Sequence, residues 1–409
     1  MKAKKIIAML LAATLSVTAF TGCAINKDAT VATLDKEDIK LGLVNFIIRY
    51  QEAGYDDMYI QYMGEGYWDK TVTGSDTVLD TWKTNAIEEV HELYTLKAHQ
   101  SDYDVKVSDD EKSEIADAAK KFMKDNSDDA IDEMGATEDI IKEYLELRLI
   151  KSKMYEAIIK DADSDVTDEE ANMSAYTVVK LDYKGYYDSN YQYQTYTDDQ
   201  SAQIKSQADA VIAALAEGKT LEDAATAAGT SATTGTYATY VDPAQADSAD
   251  SSEDGTESVD DTEATESTES SESKTNDSVY TTNSLDQSVV DALNSLEEGQ
   301  VSDLITTDDS YYIVRLDKRT DEEATESNRK TVKGNKEDKY YNDILSGWQD
   351  DESWSVKQSQ LDKIKIHNYF TTTTQSTEDT ESTGTTDATE STGTTDNTEN
   401  TEAVDGTEN

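Results

Sequence analysis

The sequence predicts an α+β protein: a helical region, a unit built on a small and mostly antiparallel sheet, and a helical return. Three observations carry this. Apolar residues recur at helical spacing from residue 39 to about 160. From Ser174 the pattern turns β-branched and aromatic. Two Ser/Thr/Asp/Glu tracts have no apolar period at all. With 409 residues, more than one core is expected.

Taken in order, Ile39, Leu43, Phe46, Ile47 and Tyr50 space a first helix, and Leu79, Trp82, Ala86, Val90 and Leu93 a second. "VSDDE" opens a third with a capping box, in which Ser108 caps and Glu111 reaches back to its N–H. A fourth, from Thr137 to about Lys160, lines up Ile140, Tyr144, Leu147, Met154 and Ile158; "VTDEE" then repeats the capping box with Thr167 and Glu170. "YTVVKLDY" (176–183) reads as a strand and a Tyr-rich loop follows it. Ile204, Ala208, Val211, Ile212 and Leu215 form a helix stopped at Gly218, and Thr220 caps a short one ended by Gly229. Residues 231–240 are a strand, and Ser284 with Gln287 starts a helix ending at Gly299. Two strands flank "TDDS", giving the order β-α-α-β-α-β-β. "KYYNDILSGW" is an amphipathic helix and "LDKIKIHNYF" a closing strand.

The formal charge of -51 and pI of about 4.1 argue against nucleic acid as a partner, because binding phosphate needs clustered Lys and Arg. Residues 244–278 hold twelve acids and one lysine, and 371–409 hold ten acids and no base. Neither stretch has apolar surface to set against chain entropy, so both are expected to be disordered. "TESTGTTD" occurs twice in the second, at 380–387 and 389–396.

At the N-terminus "MKAKK" supplies positive charge, "IIAMLLAATLSVTAF" an apolar run and "TGC" a processing site, the parts of a secretion signal. The run is too short for a comfortable membrane span, and no other stretch approaches ~20 apolar residues. Cys23 is the chain's one cysteine, so it has no disulfide partner within the chain. Phe20-Thr21-Gly22-Cys23 resembles a bacterial lipobox, with Phe20 where Leu is commonest; that resemblance implies lipidation at Cys23 and anchoring on the outer face of the cytoplasmic membrane. The alternative is an ordinary signal peptide ending near a buried cysteine.

The only histidines are His91, His99 and His367. "HELYT" has Thr95 where H-E-x-x-H needs its second histidine, so the zinc-protease reading fails. His91 and His99 are eight residues apart on one helix, too far for a good ligand pair, and are expected to be solvated. No metal or cofactor is expected. No phosphate-binding loop follows a strand, and Ser and Asp without a base histidine make no triad. The loop carrying Tyr183, Tyr186, Tyr187, Tyr191, Tyr193 and Tyr196 has two readings. It offers rigid amphipathic contact area for peptides, or it reflects a chain with 24 Tyr against 4 Phe.

Together these features resemble the extracytoplasmic parvulin-type foldases, the PrsA-like and SurA-like peptidyl-prolyl isomerases and chaperones. The densest match is at Leu296, Gly299, Gln300, Ser302, Leu304, Ile305, Thr307, Ser310, Tyr311, Tyr312, Ile313, Val314 and Leu316. The family's "A-x-H-I-L" strand corresponds to Ala175, Tyr176, Thr177, Val178 and Val179, and Gly218, Leu221 and Ala225 keep a further motif in register. The resemblance implies a helical SurA-like chaperone domain with an inserted parvulin-like domain. The implied limits are a signal peptide at 1–22, helical domain at 23–171 and parvulin-like domain at 172–320 with a disordered insertion at 244–278. A helical return at 321–370 and an acidic tail at 371–409 complete the chain.

The same resemblance implies the site. Thr177 and Tyr312 replace the two family histidines and are expected to face one another on neighbouring strands; Thr233 replaces an Asp or Cys. Leu285 and Val289 take the places of the Met and Phe that line the proline pocket, with Tyr176 beside them. The implied partners are unfolded exported polypeptides and, through the anchor, the membrane; a homodimer stays open. Three functions follow: a foldase or chaperone with a weak or inactive isomerase unit, an active peptidyl-prolyl isomerase, or a solute-binding or adhesive surface lipoprotein. The element order of the second unit counts against the last.

Overall fold

The computed structural model describes residues 14–17, 25–188, 192–240, 285–366 and 368–373. The expected acidic insertion at 244–278, Cys23, His367, Tyr191 and the tail from residue 374 lie outside them.

The chain runs β1 (Thr14–Val17), β2 (Thr30–Leu34), β3 (Glu37–Lys40), α1 (Leu41–Ala53) and α2 (Asp56–Met63). It continues through a small hairpin, β4 (Thr71–Thr73) and β5 (Asp76–Thr77), into α3 (Val78–His99), α4 (Asp109–Asp125), α5 (Asp128–Met134) and α6 (Glu138–Ile158). Ser108, Ser127 and Thr137 cap the last three, each hydroxyl accepting a backbone N–H of the first turn. Glu111 closes the capping box expected at Ser108, and Glu170 does the same for Thr167 at α7 (Asp168–Ala171).

The second unit holds β6 (Met173–Asp182), a hairpin of β7 (Gly185–Tyr187) and β8 (Tyr193–Thr195), α8 (Asp198–Ala216) and α9 (Leu221–Ala227). Then come β9 (Thr233–Ala238), α10 (Gln287–Ser295), β10 (Ile305–Thr306) and β11 (Ser310–Lys318). Its four strands lie in the order β10-β11-β6-β9, antiparallel throughout, so the expected α+β order is present with the Tyr-rich loop folded as a hairpin. The sheet is covered on both faces. Val179, Leu181 and Ile313 pack on α8 and α9. Tyr176, Val178, Tyr237, Tyr312, Val314 and Leu316 pack on α10 through Val289, Val290 and Leu293. Alternation along each strand makes this division, since neighbouring side chains point to opposite faces.

The chain then returns as α11 (Glu322–Asp351), β12 (Trp354–Val356), α12 (Gln358–Leu361) and β13 (Phe370–Thr373). β12 pairs with β2, and Leu361, Ile364, Ile366 and Phe370 join the main core of α1 to α6. Tyr341 and Leu345 of α11 pack on Leu96, Ile150, Met154 and Ile158. The sheet unit is therefore inserted between two segments that share one helical core.

Four local expectations are corrected. Ile39 lies in β3, where it pairs with Ala32, rather than in a helix. The N-cap of α10 is Asp286, whose carboxylate accepts the Ser288 N–H; Ser284 is outside the described residues and the helix stops at Ser295, before Gly299. The anticipated closing strand at 361–370 is a helical end and an irregular run, and strand begins only at Phe370. β13 also carries order to Thr373, past the expected start of the tail.

Candidate functional site

Four chain segments converge on the face of the sheet under α10. β6 brings Tyr176 and Val178, β11 brings Tyr312 and Val314, β9 brings Tyr237, and α10 brings Val289 and Leu293. Leu285, Ala292 and Ile305 complete it as half-buried apolar neighbours. Tyr176 and Tyr237 meet edge to face, ring centroids 6.0 Å apart, and the Tyr237 hydroxyl donates to Asn294 Oδ1 at 3.0 Å. Burial first, then the nearby Tyr312, raises the Tyr176 hydroxyl above its ordinary pKa. The Lys180 ammonium sits 5.8 Å over the Tyr312 ring. Lys180 is itself held above its ordinary pKa, chiefly by its hydrogen bond to Asp182.

Thr177 is not in this group. It pairs with Arg315, whereas Tyr312 pairs with Lys180, so the expected confrontation of Thr177 and Tyr312 does not occur. The reason is parity: one residue of offset along a strand turns a side chain to the opposite face. Thr177 is buried toward α9, where its hydroxyl donates to Asp317 Oδ2 at 2.6 Å and accepts from Arg315 Nη2 at 3.0 Å. Arg315 also donates both terminal nitrogens to Glu222 at 2.8 and 2.9 Å. That fork and its charge hold the Glu222 carboxyl down at about 2. This is a strand-to-helix clamp.

The residue that shares a face with Tyr312 is Tyr176, and strand alternation in the sequence was the signal for it. Thr233 opens β9 opposite Val178, on the Tyr176 face but exposed. Leu285 and Val289 both lie against that face, Val289 fully buried and Leu285 half-buried. The arrangement is thus an apolar floor with three phenols, those of Tyr176, Tyr237 and Tyr312. It offers hydrogen bonds and ring surface, while the chain's histidines stand elsewhere in sequence, at positions 91, 99 and 367.

Two of those histidines are packed rather than solvated. His91 stacks on Trp354 and His99 on Trp348, each with centroids 4.2 Å apart, and both rings lie 3.6 Å from Glu352. Among the described residues no group of three or more His, Cys, Asp or Glu is arranged to hold a metal ion. No helix among them is long and apolar enough to cross a membrane.

Residues 180–329 match the family model described as PPIC-type PPIASE domain. No curated protein matches the chain. Among solved structures, the chain is similar to the foldase protein PrsA from Streptococcus pneumoniae at 16% identity, covering 69% of this chain and 92% of that one, with a TM-score of 0.27. The peptidylprolyl isomerase PrsA from Bacillus cereus matches at 19% identity, 72% and 96% coverage and a TM-score of 0.29. The structures of PEB4 and Cj1289, described as SurA-like chaperones of Campylobacter jejuni, match at 10% identity, 81% and 99% coverage and a TM-score of 0.25. TM-scores this low put no weight on the overall superposition, and the domain match stands on its own. The matched segment is the unit with the four-stranded antiparallel sheet covered by helices on both faces, and over residues 180–329 the chain is similar to that domain family.

Proposed function

We propose that this chain is an extracytoplasmic foldase that assists newly exported polypeptides and whose parvulin-type unit isomerises prolyl bonds weakly or not at all. The observation that carries the reading is the pair Tyr176 and Tyr312 on the α10 face, in a unit whose sequence from 173 to 318 contains no histidine. Isomerisation needs no nucleophile. It requires an apolar seat that holds a twisted amide against a rotation barrier of about 18–20 kcal/mol. The floor of Val178, Val289, Val314 and half-buried Leu285 supplies apolar contact. Phenols do not supply the histidine network that the family resemblance implies.

The domain limits that go with this reading are 23–171, 172–320 and 321–370, with anchoring through Cys23 and placement on the outer face of the cytoplasmic membrane. The family match at 180–329 supports the middle unit. The test is a paired assay on the purified chain: turnover of a proline tetrapeptide series, and suppression of aggregation of an unfolded client. Little or no turnover with clear suppression is the expected result. The active-isomerase reading is favoured by the description of the matched domain; robust turnover lost in Tyr312→Phe would establish it. A Cys23→Ala chain released into the medium would support the anchor, and one retained on membranes would reject it.

A further inference from the structure

The helical core holds a strand that comes from the apolar run of the leader. β1 pairs antiparallel with β13, matching Leu15 to Thr372 and Ser16 to Thr371. Its other edge is also held: the Leu15 N–H donates to Asn126 Oδ1 at 2.8 Å, and the Ser127 N–H donates to the Leu15 carbonyl at 3.1 Å. The Leu15 side chain is buried in the main core, and the Ser16 and Thr371 hydroxyls lie 2.8 Å apart. An extended segment is thus gripped on both edges, with one apolar side chain sunk into the core.

The walls of this slot have their own fastenings. Asp56 Oδ2 accepts the Phe370 N–H at 2.8 Å, and the Arg49 guanidinium lies 5.0 Å from the centroid of the buried Phe370 ring. Asn126 also donates to the Phe122 carbonyl, and Ser127 caps α5. None of these contacts involves β1. In a chain that starts at Cys23, β1 is gone. The edge of β13, the Asn126 carbonyl oxygen, the Ser127 N–H and the Leu15 pit then face an empty groove. Water serves these groups in an open groove, and an added strand replaces it at all of them at once while filling the Leu15 pit.

We propose that the groove occupied by Thr14–Val17 is a peptide-binding site which, in the processed chain, takes an extended apolar segment of an unfolded polypeptide. Apart from the Leu15 pit and the Ser16–Thr371 hydroxyl pair, the contacts are to the occupant's main chain, so the site selects an extended conformation and one apolar side chain rather than a defined sequence. The leader's own segment is the first occupant, and it keeps the groove closed until processing. The inference rests on the foldase reading for the identity of the client and on removal of the leader for opening the groove.

The test uses the chain from residue 23 with Cys23→Ser and a labelled peptide, AATLSVTA (residues 12–19) flanked by lysines, followed by fluorescence anisotropy. Saturable binding is expected, displaced by an unfolded apolar client. Leu15→Asp in the peptide should weaken it at least about tenfold, because a charge would enter an apolar pit. Asn126→Ala in the protein should weaken it by about tenfold, the size of one hydrogen bond to a buried partner. The chain that keeps its leader should bind far less. Absence of saturable binding, or equal binding of the Leu15→Asp peptide, overturns the proposal; because that substitution is in the ligand, misfolding cannot mimic it. Intact mass showing that residues 14–17 are retained on the cell's own protein also overturns it, as does a dimer that the peptide dissociates. Aggregation suppression measured on the same sample separates the two readings. Suppression without peptide binding leaves the foldase standing and removes the groove; peptide binding without suppression does the reverse.

Discussion

Gly235 lies directly across the sheet from Tyr176, and a Cβ at Gly235 would come within 2.7 Å of the tyrosine hydroxyl and 2.8 Å of its Cζ. The missing side chain makes the recess in which the Tyr176 phenol lies. Glycine in a strand interior often marks such a close approach.

Gly235→Ala should therefore push Tyr176 out of its recess and break its edge-to-face contact with Tyr237. Overpacking of this kind costs about 1–3 kcal/mol, partly offset by the better strand propensity of Ala. Chemical denaturation of the two chains checks it. An unchanged midpoint would mean that the ring moves aside freely and that Gly235 does not position it.

Thr177 and Arg315 give the opposite kind of expectation, since their network faces α9 and not α10. Thr177→Val should cost about 1–2 kcal/mol by removing a donor from Asp317, and leave any prolyl-isomerase rate per folded molecule unchanged. A rate that falls with Thr177→Val but not with Tyr312→Phe would restore Thr177 to the site. The network also sets a pH window. Glu222 is held at about 2 against an ordinary 4.5, so its share of stability is present above about pH 4.5 and is lost as pH falls toward 2. The carboxylate is half exposed, so that share is under about 1 kcal/mol once solvent screening is counted. Arg315→Ala should flatten the wild-type slope over this window, read as stability differences between pH 5 and 2.5.

The buried pair Arg49 and Glu52 is the costliest place to cut. Nη1 of Arg49 lies 2.6 Å from Glu52 Oε2, and both side chains are essentially inaccessible. Burial pushes the Glu52 carboxyl well above its ordinary range, and Arg49 pulls it back. Arg49→Met removes the charge and keeps much of the volume, leaving Glu52, with Asp56 and Glu133 beside it, without a cation. The expected loss is about 3–5 kcal/mol. For a carboxyl raised on folding, stability is fully present below the unfolded pKa and declines as pH rises through the folded one. The Arg49→Met defect should therefore shrink as pH falls, and Glu52→Gln placed on top of it should recover most of the loss. A defect independent of pH would show that Glu52 is not the group left uncompensated.

Much of this arrangement was legible in local pattern, and what was not depended on partners far along the chain. Ser108 with Glu111 and Thr167 with Glu170 announce helix starts because both members of each box are within four residues. The β6 and β11 strands are visible in their own β-branched and aromatic runs. β2 and β3 are not, because their third strand comes from Trp354–Val356 and no local spacing records it. Ile39 illustrates the consequence: it continues the apolar spacing of α1 but belongs to the sheet. The site was half legible for a related reason. Family motifs place β6 in the sheet, but only the register decides whether Tyr176 or Thr177 stands beside Tyr312, and a one-residue error exchanges the faces.

The His91 side chain is largely buried. It stacks on Trp354 at 4.2 Å between centroids, with Nε2 3.6 Å from Glu352 Oε2; the same carboxylate accepts from Thr95 at 2.7 Å and lies 3.6 Å from His99. Burial is the larger influence and lowers the His91 pKa below 6.5, with Glu352 working against it. A base depressed on folding contributes stability that is fully present above the unfolded pKa and is lost as pH falls through the folded one. His91 is thus an acid-labile tie between α3 and β12, the strand that closes the helical core. His91→Phe keeps the stack on Trp354 and removes the titration. Below pH 6.5 the stability of the variant should fall less steeply than that of the wild type, while near pH 8 the two should differ by about 1 kcal/mol or less. Parallel curves through that range would show that His91 does not change its charge between the folded and unfolded chains, and that the tie between α3 and β12 is one of stacking alone.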